Sequence, residues 1–283
     1  MSWWRLVAAS SILVGACGLY ESGPSISEGG DGGPDTPLDG PIDIDGGVDS
    51  SDAAAVPDVY EAGPCPLGSV LAGDSGFCID STETTNGQYQ KFLGTIEDAG
   101  IPSLPLFCGY KSKPADFTPT AWTKPEEQRP VVGVDWCDAY LYCKWANKRL
   151  CGHRGGGSVA PTDVSNNDKS DWAYACTGNT SQGYPYGNTF DASACNGAAT
   201  GLNKPANAGS FAGCVGGFSG IFDMSGNVWE WVDSCDGTTS GTDHCLILGG
   251  SFSNDTTGLR CDRAADAKRS DLFVNTGFRC CAP

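Results

Sequence analysis

Fourteen cysteines between positions 65 and 281 constrain this chain more than any other feature. A fifteenth, Cys17, stands apart from them near the N-terminus. An even number in a chain that reads as exported argues for disulfides rather than free thiols. No Cys-x-x-Cys spacing occurs, and the only histidines are His153 and His244. Zinc sites and His-rich iron sites are therefore poorly supplied with ligands.

The export reading rests on the first 17 residues. Arg5 precedes an apolar run from Leu6 to Val14, which is followed by Gly15-Ala16-Cys17. That is the layout of a secretory signal ending in small residues, and the run is too short to span a bilayer. Val14 to Cys17 looks like a bacterial lipobox, which makes Cys17 the expected site of lipidation and the cell envelope the expected location. An ordinary cleaved signal, with Cys17 incidental, is the other reading. Residues 18–63 hold eleven acidic side chains and no Lys or Arg among Gly, Pro and Ser. Such a segment cannot bury enough apolar surface to offset its ordering entropy, and it reads as a disordered acidic tether. Asp31 to Asp52 lacks the regular positions of a calcium-binding repeat and reads as a solvated spacer. Most of the formal net charge of −17 lies in the tether, and no basic patch suggests a nucleic-acid partner. Residues 64–283 remain as one domain, long enough for a sizeable core.

Within that domain, Cys65 and Cys78 enclose a hairpin-like segment and are expected to pair, with a strand over Phe77 to Ile79. Thr85 and Gln88 have capping-box spacing, and Tyr89, Phe92, Leu93 and Ile96 recur at helical intervals until Gly100. Residues 102–130 read as an irregular loop. Asp135 is placed to cap a second helix whose apolar stripe runs through Trp136, Ala139, Tyr140, Cys143, Ala146 and Leu150. Lys148 and Arg149 suit the dipole at its end. Short turns dominate beyond it, so the class is α+β with little regular structure.

The stretch Phe222 to Val232 reads as a turn, Asp223 to Gly226, feeding a strand. Trp229 and Trp231 share one face of that strand, and Val228, Glu230 and Val232 share the other. Glu230 lies among apolar neighbours and needs a partner. One solution is a cation held by Asp223, Glu230 and intervening carbonyls; the other is a hydrogen-bonded core glutamate.

The same stretch, Gly226-Asn227-Val228-Trp229-Glu230-Trp231, resembles the signature of the formylglycine-generating enzymes, or sulfatase-modifying factors. Other segments follow in the family's order: Glu83 to Asn86, Arg129 to Val134 running on to Leu150, Trp172 to Ala175, and Tyr184 to Asn188. Gly249-Gly250-Ser251-Phe252 and Gly277-Phe278-Arg279-Cys280 complete the series. The resemblance implies a variant of the C-type lectin fold. It implies disulfides Cys143 to Cys280 and Cys176 to Cys261. Proximity then suggests Cys195 with Cys214 and Cys235 with Cys245, leaving Cys108 with Cys137 and Cys151 with Cys281 by elimination. Cys280 and Cys281 should face opposite sides of a strand and so need different partners.

For chemistry, the resemblance implies an oxidase that uses copper(I) held by two thiols, a soft ligand set suited to that ion. The first of those cysteines follows the Gly-Gly-Ser-aromatic segment by two residues and the second comes five residues later. Here Ser253 and Asn254 follow Phe252, and no cysteine occurs between Gly249 and Cys261. Copper is therefore not expected. Ser251 and Trp229 match active-site positions of the family and are the pocket candidates. Asp223, Gly226, Val228 and Glu230 match a family calcium site, so structural calcium is expected there. A second calcium site would begin at Asn196 and Gly197 but lacks a following acid. Residues 151–169 depart from the family's run into its third helix. The expected function is that of a surface lipoprotein with a binding or structural role, its ligand an unidentified protein, peptide or glycan; the alternative is a divergent formylglycine-generating oxidase or another oxidoreductase.

Overall fold

The computed structural model describes residues 65–120, 122 and 125–283. The signal, Cys17 and the tether lie outside the described residues.

Three helices and eight strands form the described part. Helix α1 spans Asn86–Ala99 and α2 spans Trp136–Trp145, while α3 is shorter at Asp171–Thr177. The strands are β1 (Ser69–Leu71), β2 (Cys78–Asp80), β3 (Arg149–Leu150), β4 (Trp229–Cys235), β5 (His244–Leu248), β6 (Ala264–Lys268), β7 (Thr276–Phe278) and β8 (Cys280–Ala282). One sheet has the order β1-β2-β8-β3 and the other β6-β5-β4-β7. The last two strands of the chain are separated only by Arg279, so the C-terminal run enters both sheets.

Local chemistry fixes the helix ends. The Thr85 hydroxyl accepts from Gln88 N at 3.3 Å while Gln88 Oε1 accepts from Thr85 N at 2.8 Å, which satisfies two otherwise unpaired donors of α1. Asp135 and Asp138 make the same reciprocal arrangement at α2. Helix α2 stops earlier than its apolar stripe suggests. Asn147 takes a left-handed conformation at φ 57°, and Arg149 and Leu150 pair with β8 instead of continuing the helix. Leu150 is buried as a strand residue and Tyr140 is only half-buried.

The core has two main parts. Tyr89, Phe92, Phe117, Tyr142, Trp231 and Phe278 pack between α1, α2 and the second sheet. Phe77, Ile79, Trp172, Ile221, Met224 and Leu248 pack around α3. Seven disulfides staple the described residues, none of them joining one main core part to the other: Cys65–Cys78, Cys108–Cys137, Cys143–Cys280, Cys151–Cys281, Cys176–Cys261, Cys195–Cys214 and Cys235–Cys245. The neighbours Cys280 and Cys281 part to opposite faces, the first to α2 and the second to Cys151 beside β3.

Candidate functional site

Strand β4 lies between β5 and β7, and the chain beyond β5 forms a tight loop from Gly249 to Asn254. Gly250 has φ 75°, and a Cβ there would lie 2.4 Å from the Gly258 carbonyl oxygen, so only glycine permits the approach. The loop turns Ser251 inward, where it is fully buried. Its hydroxyl donates to Asn254 Oδ1 at 2.8 Å, lies 2.9 Å from Ser253 Oγ, and accepts from Asn275 Nδ2 at 3.2 Å. Asn254 Oδ1 also accepts from Ser251 N at 2.9 Å. The Asn275 carbonyl in turn accepts from Trp229 N at 2.9 Å. Ser251 and half-buried Trp229, the two pocket candidates, are therefore joined through Asn275.

Asn275 was not among the sequence candidates. It precedes the Gly277-Phe278-Arg279 segment and carries no charge or sulfur, so only its place across from the Gly249 to Asn254 loop marks it. Ser251, Ser253, Asn254 and Asn275 make a set of hydroxyls and amides. Cys261, the next sulfur along the chain, is bonded to Cys176. A soft ion such as copper(I) needs thiolates, and this donor set does not fit it. Val274, beside Asn275 in the chain, lines a cleft of about 260 Å³ with Trp122, Pro130, Val132 and Pro205.

Glu230 points elsewhere, into a buried charged knot. Its Oε1 accepts from Arg279 Nη2 at 2.7 Å, and its Oε2 accepts from Arg279 Nε and Trp172 Nε1, both at 2.8 Å. Arg279 also donates to the carbonyls of Phe222 at 2.8 Å and Asp80 at 3.1 Å, and both ion-pair partners are almost completely buried. Three motifs thus meet here through Trp172, Glu230 and Arg279. Asp223 Oδ2 accepts from Gly209 N at 2.5 Å, and Glu83 Oε1 accepts from Asn227 Nδ2 at 2.9 Å. Burial, with the Asp223 charge second, raises the Glu83 carboxyl well above its ordinary range. Burial also pushes Asp223 up to about 6, against the Gly209 hydrogen bond. Glu83 Oε2 is buried without a hydrogen-bond partner.

The calcium expectation at Asp223, Gly226, Val228 and Glu230 meets an obstacle in this geometry. The Glu230 charge is already answered by Arg279, and a divalent cation there would sit against a buried guanidinium. Gly226 N is bonded to the Gly249 carbonyl, which ties this segment to the Ser251 loop. The residues do not fit an ion shared by Asp223 and Glu230, and Glu230 is the hydrogen-bonded core glutamate of the other reading. Among the described residues no group of three or more His, Cys, Asp or Glu is arranged to hold a metal. Asn196, where a second calcium site would begin but for the missing acid, donates to Asn227 Oδ1 at 3.0 Å and to the Lys204 carbonyl at 3.1 Å.

The two sheets, three helices, seven disulfides and buried hydroxyl–amide cluster of the described residues define a disulfide-rich α+β domain of the formylglycine-generating-enzyme kind. The chain belongs to the family of the sulfatase-modifying factor enzyme 1-like domain, whose profile matches residues 36–282. That match begins inside the segment read as tether. The chain is 29% identical to the inactive C-alpha-formylglycine-generating enzyme 2 of Bos taurus over 191 residues, covering 62% of this chain and 57% of that protein. It is 26% identical to the formylglycine-generating enzyme of Mus musculus over 281 residues, covering 80% and 70%. The match to the inactive relative thus spans little more than half of that protein's length. Among solved structures, that of CarF superposes with a TM-score of 0.51 at 20% identity, covering 73% of this chain and 86% of that one, a likeness of fold.

Proposed function

We propose that this chain is a binding or structural member of its family, without copper oxidase activity. The observation that carries the reading is the donor set around Ser251: Ser253 and Asn254 occupy the loop where the resemblance places the first thiol, and Cys261 is tied to Cys176. The match to inactive enzymes of Bos taurus and Mus musculus supports it. The cleft beside Val274, with Trp122 and prolines on its walls, suits a polypeptide or glycan ligand better than a small ion. Seven disulfides are consistent with export. Among the described residues no helix is long and apolar enough to cross a membrane. Lipidation at Cys17 would supply an anchor, and mass spectrometry of the mature N-terminus tests it: a diacylglyceryl cysteine supports the anchor, and an unmodified terminus at another residue removes it.

The second reading is a divergent oxidoreductase, favoured by Ser251 and Trp229 at matching active-site positions. Copper(I) competition with a chromogenic chelator, on protein whose Cys17 is replaced by Ser, separates the two. The binding reading expects no copper uptake above that of a cysteine-free control peptide. Tight stoichiometric uptake by the oxidised protein would favour the enzyme.

A further inference from the structure

A second buried cluster lies far along the chain from the Ser251 cluster and takes no part in it. Lys111 Nζ stands 2.5 Å from Asp138 Oδ1 and 2.8 Å from Asp135 Oδ2, and it donates to the Asp116 carbonyl at 2.8 Å. All three charged side chains are 3% exposed or less. The Phe117 and Tyr110 rings lie 5.1 and 5.9 Å from the nitrogen, and the Tyr110 hydroxyl donates to Asp135 Oδ2 at 3.1 Å. The Cys108–Cys137 disulfide fixes the approach, because Lys111 follows the first cysteine by three residues and Asp138 follows the second by one.

Two carboxylates facing one lysine in a dry site cannot all stay charged without leaving a buried negative charge unanswered. Burial, then the Asp135 charge, pushes Asp138 up to about 8. For Lys111, burial alone would lower the ammonium, but the charges of Asp138 and Asp135 outweigh it and hold it above its ordinary value. The free amine is therefore reached by passing a proton within the cluster rather than to solvent. A neutral amine against a neutral acid, with a second carboxylate in reach of both, is the arrangement that amide formation requires.

We propose that Lys111 and Asp138 condense spontaneously to an intramolecular amide, with Asp135 carrying the proton. The ammonium first gives one proton to the Asp138 carboxylate. Nζ then adds to Cγ of Asp138, forming the C–N bond. Asp135 takes the second proton from nitrogen and returns it to Oδ1, whose bond to Cγ breaks as water departs. The third proton remains on the amide nitrogen. Nothing is oxidised or reduced, and the sum is one ammonium and one carboxylate converted to one amide and one water. Oδ2, which accepts from Asp135 N at 2.9 Å, becomes the amide oxygen and keeps that capping bond of α2. The burial of Lys111, Asp135 and Asp138, each 3% exposed or less, limits the water that could reverse the step. The product is a tie between the loop at Lys111 and α2 that reduction does not open.

Peptide mapping of the purified full-length protein, reduced, alkylated and digested with trypsin, tests this directly. The expected result is one peptide, residues 92–144, carrying both Lys111 and Asp138 with the branch between them, because Lys113, Lys124 and Arg129 each precede proline and resist trypsin; its mass lies one water below that of the linear 92–144 peptide. Trypsin should not cut after Lys111, and fragment ions should place the junction at these two residues. Asp138→Ala should abolish the branch, and Asp135→Ala should reduce its yield at least tenfold after equal incubation. Cleavage after Lys111 in the unaltered protein, with the two parts of that peptide recovered separately, overturns the proposal even if neither variant folds. A branch that persists in Asp138→Ala overturns it as well.

Discussion

Glu230 shows how a single residue can invite two chemistries and be held to one by its neighbours. The sequence shows a carboxylate in an apolar strand but cannot show that Arg279, 49 residues later, reaches it with two nitrogens. Removing one partner of such a pair leaves the other charge buried. Glu230→Ala should therefore cost about 3–5 kcal/mol in denaturant unfolding. Chelation with EDTA should leave the melting temperature of the unaltered protein unchanged, since no ion is needed to compensate Glu230; a fall of several degrees would restore the calcium reading. Asp223 gives a pH test. Its carboxyl is raised to about 6 in the folded state, so the native state holds a proton there that the unfolded chain releases near its ordinary value of 3.8. The associated stability is fully present below about pH 4 and is lost as pH rises through about 6. Melting temperature should fall across that window in the unaltered protein and fall less in Asp223→Asn; parallel curves would contradict the assignment.

Elements with a complete local signal were legible in the sequence. The Thr85 and Gln88 capping box and the Asp135 cap both mark helix starts in the structure, and α1 ends with Gly100 as its C-cap. The end of α2 was not legible, because Ala146 and Leu150 keep helical spacing while Asn147 adopts a left-handed turn that only the pairing of Arg149 and Leu150 with β8 makes worthwhile. Strand pairing was hidden for the same reason: β4 runs parallel to β7 and antiparallel to β5, and nothing in one strand's residues names its partner. Gly277 marks such a meeting, since a Cβ there would lie 2.4 Å from the Val131 carbonyl oxygen. Among the disulfides, Cys143–Cys280 closes 137 residues and Cys235–Cys245 closes 10. Chain entropy ranks them, with losses within roughly 2–5 kcal/mol and the longer loop at the upper end. Paired Cys→Ser variants compared by denaturant unfolding should keep that order, and a larger loss from the shorter loop would show that strain or packing governs instead.

At the scale of the whole molecule, the family was legible because its motifs converge on one buried place. Trp172, Glu230 and Arg279 come from three distant segments, and each is needed to complete the other two. The motifs thus report the core of the fold more than its chemistry. The pocket was legible only in part: Ser251 and Trp229 could be named, whereas Asn275 joins them by a contact across 24 residues that has no sequence pattern. The most direct test of the central claim is turnover itself. The purified, oxidised protein is incubated with copper(I), oxygen, a thiol reductant and a sulfatase-type peptide, with an active formylglycine-generating enzyme as control, and the peptide is analysed for aldehyde by mass spectrometry. No conversion of cysteine to formylglycine is the predicted result, and copper-dependent conversion by the unaltered protein would contradict the account.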